Sequence, residues 1–264
     1  MTVLEKLNQR IDAANSMVCV GLDSNIDRIP ERFYSEPHPQ FAFNRWIIEQ
    51  THEYVCAYKP NMAFYEARGA DGWLELQMTM DYLHTNHPDI FTICDAKRGD
   101  IGSTNTGYVT AIFDRLGFDA ITLHPYLGGE ALQPFLERAD RASIILCRTS
   151  NPHSDELQSM NVDGQPLWER VIERVRNEWN GNNNCMLVIG ATYPDDLRRA
   201  RKLAGDIPFL VPGVGAQGGD AATVLQIGAD SNRHGLVVNS SRGVIFAADP
   251  AAVARQLQAD LQPR

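Results

Sequence analysis

Two acids and a lysine stand together in Asp95-Ala96-Lys97-Arg98-Gly99-Asp100, directly after the apolar run 90–94. Ionised side chains at the end of a buried run are costly to desolvate and are kept there when they pair. Regular strand alternation puts Asp95 and Lys97 on one face and Arg98 on the other. Asp100 falls beyond the strand, on a turn opened by Gly99. The spacing suggests a proton donor held between carboxylates, and a strand end that solvates a few charges is the bland alternative. A second segment, Pro212-Gly213-Val214-Gly215-Ala216-Gln217-Gly218-Gly219, is suited to anions. Its glycines let backbone N–H groups approach a phosphate, and a helix predicted from about Asp220 adds its N-terminal dipole. Arg242, in Asn239-Ser240-Ser241-Arg242-Gly243, adds a guanidinium that can grip a phosphate through two parallel bonds.

The elements that must position these residues follow from hydropathy. Short apolar runs recur at 17–23, 55–61, 90–97, 120–125, 143–150, 186–191, 209–215 and 235–241. They are nearly continuous in Val, Ile and Leu, as parallel strands covered on both faces should be. Helical periodicity marks 41–54, 73–84, 105–116, 167–179, 193–203, 220–227 and 250–261, and an amphipathic helix opens the chain with Leu4, Leu7 and Ile11 on one face. This alternation reads as a (β/α)8 TIM barrel of class α/β, with a doubly wound open sheet as the alternative. No composition shift divides the chain, so residues 1–264 are expected to form one barrel domain. Long loops are expected at about 24–39 and 151–165, on the face where the strands end.

Active sites of such barrels lie at the C-terminal strand ends, and here those ends are polar. Strand 1 ends in Asp23, strand 2 in Lys59-Pro60-Asn61, strand 3 in Asp95 and Lys97, and strand 5 in Thr149-Ser150-Asn151. Strands 7 and 8 carry the glycine loop and Arg242. His124 closes strand 4, where a structural histidine is favoured over a substrate contact. No H-x-x-H or H-E-x-x-H spacing points to a metal site. The net charge of −9 disfavours a general nucleic-acid binder, while a local basic cluster remains compatible with an anionic substrate. The five cysteines, Cys19, Cys56, Cys94, Cys147 and Cys185, lie in or beside apolar runs without a C-x-x-C pair. Buried free thiols and a cytoplasmic location are therefore expected. Neither a signal peptide nor a membrane span is predicted.

D-A-K-R-G-D-I-G-S-T, P-G-V-G-A-Q-G-G-D and S-S-R-G, in that order and with G-L-D, Y-K-P-N and R-T-S-N-P, resemble the orotidine 5′-phosphate decarboxylases, in particular the longer-loop type 2 branch. The resemblance implies a decarboxylation of orotidine 5′-phosphate to UMP that uses no cofactor and no metal. It implies Lys97 as proton donor to C6, Asp95 beside the departing carboxylate, and Lys59 bonded to ribose and steadying Asp95. It implies a homodimer in which Asp100 and Thr104 reach the neighbouring subunit's site. Asp23 and Asn61 would contact the ribose region and Ser150 the pyrimidine. Gln217 and Arg242 would hold the phosphate, with Gly215, Gly218 and Gly219 forming its loop. Two other readings are a metal-dependent sugar-phosphate decarboxylase or aldolase of a related barrel family, and a non-catalytic nucleotide-binding barrel. Lysine at position 59 disfavours a bound cation, and retention of Lys97 disfavours a passive sensor.

Overall fold

In the computed structural model, which describes residues 1–214 and 219–263, eight parallel strands close into a barrel. The strands are β1 (Val18–Val20), β2 (Ala57–Tyr58), β3 (Phe91–Arg98), β4 (Ala120–Leu123), β5 (Ala142–Arg148), β6 (Cys185–Ile189), β7 (Phe209–Pro212) and β8 (Leu236–Ser240). Their order around the barrel follows the chain, and β1 pairs with β8 through Val18↔Val238, Cys19↔Asn239 and Val20↔Ser240. The open-sheet alternative is thereby excluded. β1, β4, β6 and most of β3 and β5 are buried without alternation, because helices cover one face and barrel side chains the other. All five cysteines are buried free thiols.

Among the described residues, nine longer helices surround or plug this barrel. Helix α1 (Val3–Ala14) starts with a capping box between Thr2 and Glu5 and buries Val3, Leu7 and Ile11. It lies at the N-terminal face, where Lys6 pairs with Asp119 at 2.8 Å and the Arg10 Nε donates to the Val55 carbonyl. The others are α2 (Pro39–Thr51), α3 (Gly69–Asn86), α4 (Gly102–Val109), α5 (Gly128–Leu136), α6 (Leu167–Arg174), α7 (Pro194–Ala204), α8 (Ala221–Gly228) and α9 (Pro250–Asp260). Helices α4 and α6 continue as π turns through Arg115 and Trp179. Helix α5 has no counterpart in the hydropathy reading: Gly128, Gly129 and Pro134 are breakers by propensity. Packing overrides them, since Gly129 lies so close to the Trp179 indole that a Cβ would meet its Nε1 at 2.3 Å.

The connections after β1 and β5 contain structure of their own. The first holds 3-10 turns at Ile26–Arg28 and Glu31–Phe33, and the buried Gln40 amide donates to the Ser24 carbonyl at 2.8 Å. The second holds a helical turn, Asp155–Gln158, and a two-stranded ribbon pairing Asn161–Val162 with Gln165–Pro166. Among the described residues no helix is long and apolar enough to cross a membrane.

Candidate active site

Asp95, near the end of β3, is the hub of the barrel mouth. Its Oδ2 accepts from the Lys59 ammonium at 2.7 Å, and its Oδ1 from the Lys97 ammonium at 2.5 Å. The Thr122 hydroxyl on β4 donates to the same Oδ1 at 3.0 Å and accepts the Lys97 backbone N–H at 3.0 Å. The two lysines sit differently: the Lys59 side chain is 5% exposed and that of Lys97 is 51% exposed. Burial alone would raise the Asp95 carboxyl, but Lys59 first and Lys97 second override it and hold it well below the usual carboxylate range. Burial would likewise lower Lys59, yet Asp95 and then Asp23 keep its pKa above the usual lysine value. The cluster is thus held charged by mutual compensation.

Asp95 and Lys97 meet as alternation requires, but by an irregular path. Cys94 pairs with Ile121 and Arg98 with Leu123, so β3 carries extra residues against β4. Lys97 takes φ +47°, a left-handed conformation uncommon outside glycine. Arg98 turns the other way and pairs with Glu66 on the short helix Ala63–Glu66. Beyond it, Gly99 is required by close approach, since a Cβ would meet the His124 ring and carbonyl at 2.8–2.9 Å. His124 donates its backbone N–H to the Arg98 carbonyl at 2.9 Å.

A pocket of about 170 Å³ opens over this cluster. Asp23, Lys59, Asn61 and Asp95 line one side, and Gly213, Asn239 and Arg242 the other. Asp23 lines the pocket, and its Oδ1 is buried without a hydrogen-bond partner. Asn61 joins β3 through a bridge to Asp95, and its side-chain oxygen accepts the Ala63 N–H. Closure of the wall depends on Gly21, where a Cβ would fall 1.9 Å from the Ser241 hydroxyl.

The anion side differs from expectation in two respects. The start of α8 is already satisfied, because the Asp220 carboxylate caps it and accepts the Thr223 N–H at 2.7 Å. A carboxylate there repels a phosphate, so the helix dipole is not its seat. Gly219 donates its N–H to the Gly213 carbonyl at 3.1 Å, closing the loop rather than offering a donor to a ligand. Arg242 is exposed, lines the pocket and has no carboxylate partner among the described residues. Gly215, Gln217 and Gly218 lie outside the described residues.

The remaining predicted residues are not gathered at the pocket. Asp100 accepts the N–H of Ile101 at 2.7 Å and makes no ion pair with Lys97 within the chain. Thr104 is exposed in the first turn of α4. Ser150, beyond the end of β5, rests over Gly190, where a Cβ would come within 2.9 Å of its N and Cβ. Two residues escaped the sequence reading. Thr122 is a lone hydroxyl in an apolar run, informative only once β4 is known to adjoin β3. Arg148 is buried at the end of β5 and reads in sequence as an ordinary surface charge. Among the described residues no three His, Cys, Asp or Glu side chains are grouped to hold a metal ion.

A family model described as "Orotidine 5'-phosphate decarboxylase / HUMPS family" matches residues 16–257. An orotidine 5′-phosphate decarboxylase of Cellvibrio japonicus is 45% identical over 251 residues, covering 94% of this chain and 91% of the relative. One from Halorubrum lacusprofundi is 48% identical over 257 residues, covering 96% and 90%. The solved structure of Leishmania donovani OMP decarboxylase superposes with a TM-score of 0.87 at 40% identity, covering 97% of this chain and 96% of that one.

Proposed function

As a member of the orotidine 5′-phosphate decarboxylase / HUMPS family, the chain decarboxylates orotidine 5′-phosphate to UMP in pyrimidine biosynthesis, and we propose that Lys97 supplies the proton. The observation that carries this is the Lys59–Asp95–Lys97 array, with ammonium-to-carboxylate distances of 2.7 and 2.5 Å at one end of an otherwise open pocket. When the C6–CO2 bond breaks, its electron pair stays on C6, which has no ordinary electron sink. An ammonium already fixed beside that carbon stabilises the developing charge and then transfers a proton from Nζ to C6. Lys97 leaves the step as a neutral amine and regains its proton from solvent, to which half of its side chain is open. Asp95 fixes Lys97 and lies where the substrate carboxylate departs.

Lys59 and Asp23 address the ribose region, Asp23 with an unpartnered acceptor and Lys59 with donors left over from the Asp95 bond. Arg242 holds the phosphate across the pocket, and its binding energy serves the chemistry at C6 by fixing the substrate. Ser150 faces the pyrimidine. The same reading makes the working unit a homodimer. Asp100 makes no ion pair with its own Lys97, and Ile101 next to it, with Tyr126 and Leu127 after β4, are exposed apolar side chains that a second copy would cover. Asp100 and Thr104 would then enter the partner's site.

Both Asp95 oxygens are occupied by lysine ammoniums, which places two positive charges against any cation at that carboxylate. This argues against the metal-dependent sugar-phosphate reading. The test is the absorbance change of orotidine 5′-phosphate with and without EDTA. Turnover that persists in the chelator is expected, and turnover that is lost and returns with magnesium would overturn the reading.

A further inference from the structure

Arg148 is the last residue of β5, and its side chain is 3% exposed. Its guanidinium reaches three acceptors on two different connections. Nε bonds Asp196 at 2.7 Å, in the first turn of α7. The two terminal nitrogens reach the Ser154 hydroxyl and Asp155, each at 2.8 Å, in the connection after β5. The plane of the group lies over the Tyr193 ring, 4.1 Å from its centroid. Such a fork with a stacking face suits arginine and not lysine.

The connection it holds is otherwise mostly exposed. Between residues 151 and 160 Ser154 is the one buried residue, and Leu157 and Met160 are exposed. Near its start it is also held by the exchange between Thr149 and Gln158, in which the Thr149 N–H donates to Oε1 at 3.0 Å and the amide donates to the Thr149 hydroxyl at 2.7 Å, and at its far end the Leu167 N–H donates to the Met160 carbonyl at 2.8 Å. Ser150 lies between Thr149 and the clamped Ser154, two residues from Arg148 and seated on Gly190. Its height over the mouth is therefore set by where the 149–158 segment is drawn down.

We propose that Arg148 is a positioning residue for base recognition: by clamping Ser154 and Asp155 to Asp196 it fixes Ser150 against the pyrimidine. The clamp lies on the β5–β6 side of the barrel, whereas Arg242 follows β8, so it acts on recognition of the base and not of the phosphate. The inference rests on the reading of Ser150 as the pyrimidine-facing residue.

The test compares UMP with ribose 5-phosphate, which keeps the sugar and phosphate and lacks the base, by calorimetric titration of the whole protein. Arg148→Met should weaken UMP tenfold or more while ribose 5-phosphate changes less than twofold, and Arg148→Lys should remain closer to Arg148→Met than to wild type. Equal losses for both ligands would mean a general structural role and would overturn the proposal, as would an unchanged UMP affinity. Ser150→Ala separates the two layers of the argument. If it spares UMP affinity, the reading of Ser150 fails and the proposal falls with it. If it weakens UMP selectively while Arg148→Met does not, the positioning role alone fails.

Discussion

Asp95→Asn removes one charge and leaves the shape of the site nearly intact. The amide can still accept from Thr122 and one lysine, but Lys59 then keeps its charge in a site where 5% of its side chain is exposed. Removing one member of a buried pair costs about 3–5 kcal/mol. Asp23 remains as a second acid acting on Lys59, which places the expected loss near the lower figure, about 3 kcal/mol. For a chain of this size each kcal/mol moves the melting temperature by about 2–4 °C, so a fall of about 6–12 °C is expected by circular dichroism near pH 7. The pH dependence has a fixed sign. The folded Asp95 pKa is depressed, so its stabilisation is present above the unfolded value of about 4 and is lost as pH falls through the folded one. The gap between wild type and variant should be flat from neutral pH down to about pH 5 and narrow only in stronger acid. In a Lys59→Met background the same Asp95→Asn change should cost only about 1 kcal/mol, because the half-exposed Lys97 and one hydroxyl bond are all that remain. An unchanged melting temperature, or an equal loss in both backgrounds, would refute the claim that a stranded Lys59 is the source.

Lys97→Ala should abolish turnover, by at least about 100-fold, while UMP titration shows binding retained; loss of binding in step with turnover would contradict the proton-donor role. Arg242→Ala should weaken UMP by about 10- to 100-fold and uridine hardly at all, from the loss of a charge-assisted contact, and equal effects on both ligands would remove Arg242 from the phosphate site. Gly21→Ala drives a methyl into the Ser241 hydroxyl and should destabilise the fold by about 1–3 kcal/mol, read as a shift in denaturant midpoint. Full specific activity in a species shown to be monomeric by sedimentation would disprove the sharing of Asp100 and Thr104 between subunits.

The barrel was legible because its strands are buried on both faces and so advertise themselves as continuous apolar runs. The charged hub was legible for the opposite reason: three charges at the end of such a run demand partners. Helix α5 was hidden because tertiary contact with Trp179 outweighs what Gly128, Gly129 and Pro134 prefer locally. The path of β3 was hidden as well. Alternation brings Asp95 and Lys97 together on paper, whereas the chain achieves it through a slipped register and a left-handed Lys97. Thr122 and Arg148 act through strand neighbours that no local pattern reveals. The terminus of α8 is not free for an anion, since Asp220 caps it with its own carboxylate.

Closure of the barrel through β1 and β8 has a consequence for how the protein is made. Asp23 and Arg242, which line one pocket, follow the first and the last barrel strands, and these meet only when the barrel closes. During synthesis the binding site therefore stays incomplete until β8 has left the ribosome, and no earlier intermediate can be stabilised by nucleotide. A chain truncated before β8 would expose the hydrogen-bonding edges of both β1 and β7. Ligand would rescue full-length variants in a cell, through its preference for the folded state, and would do nothing for such fragments.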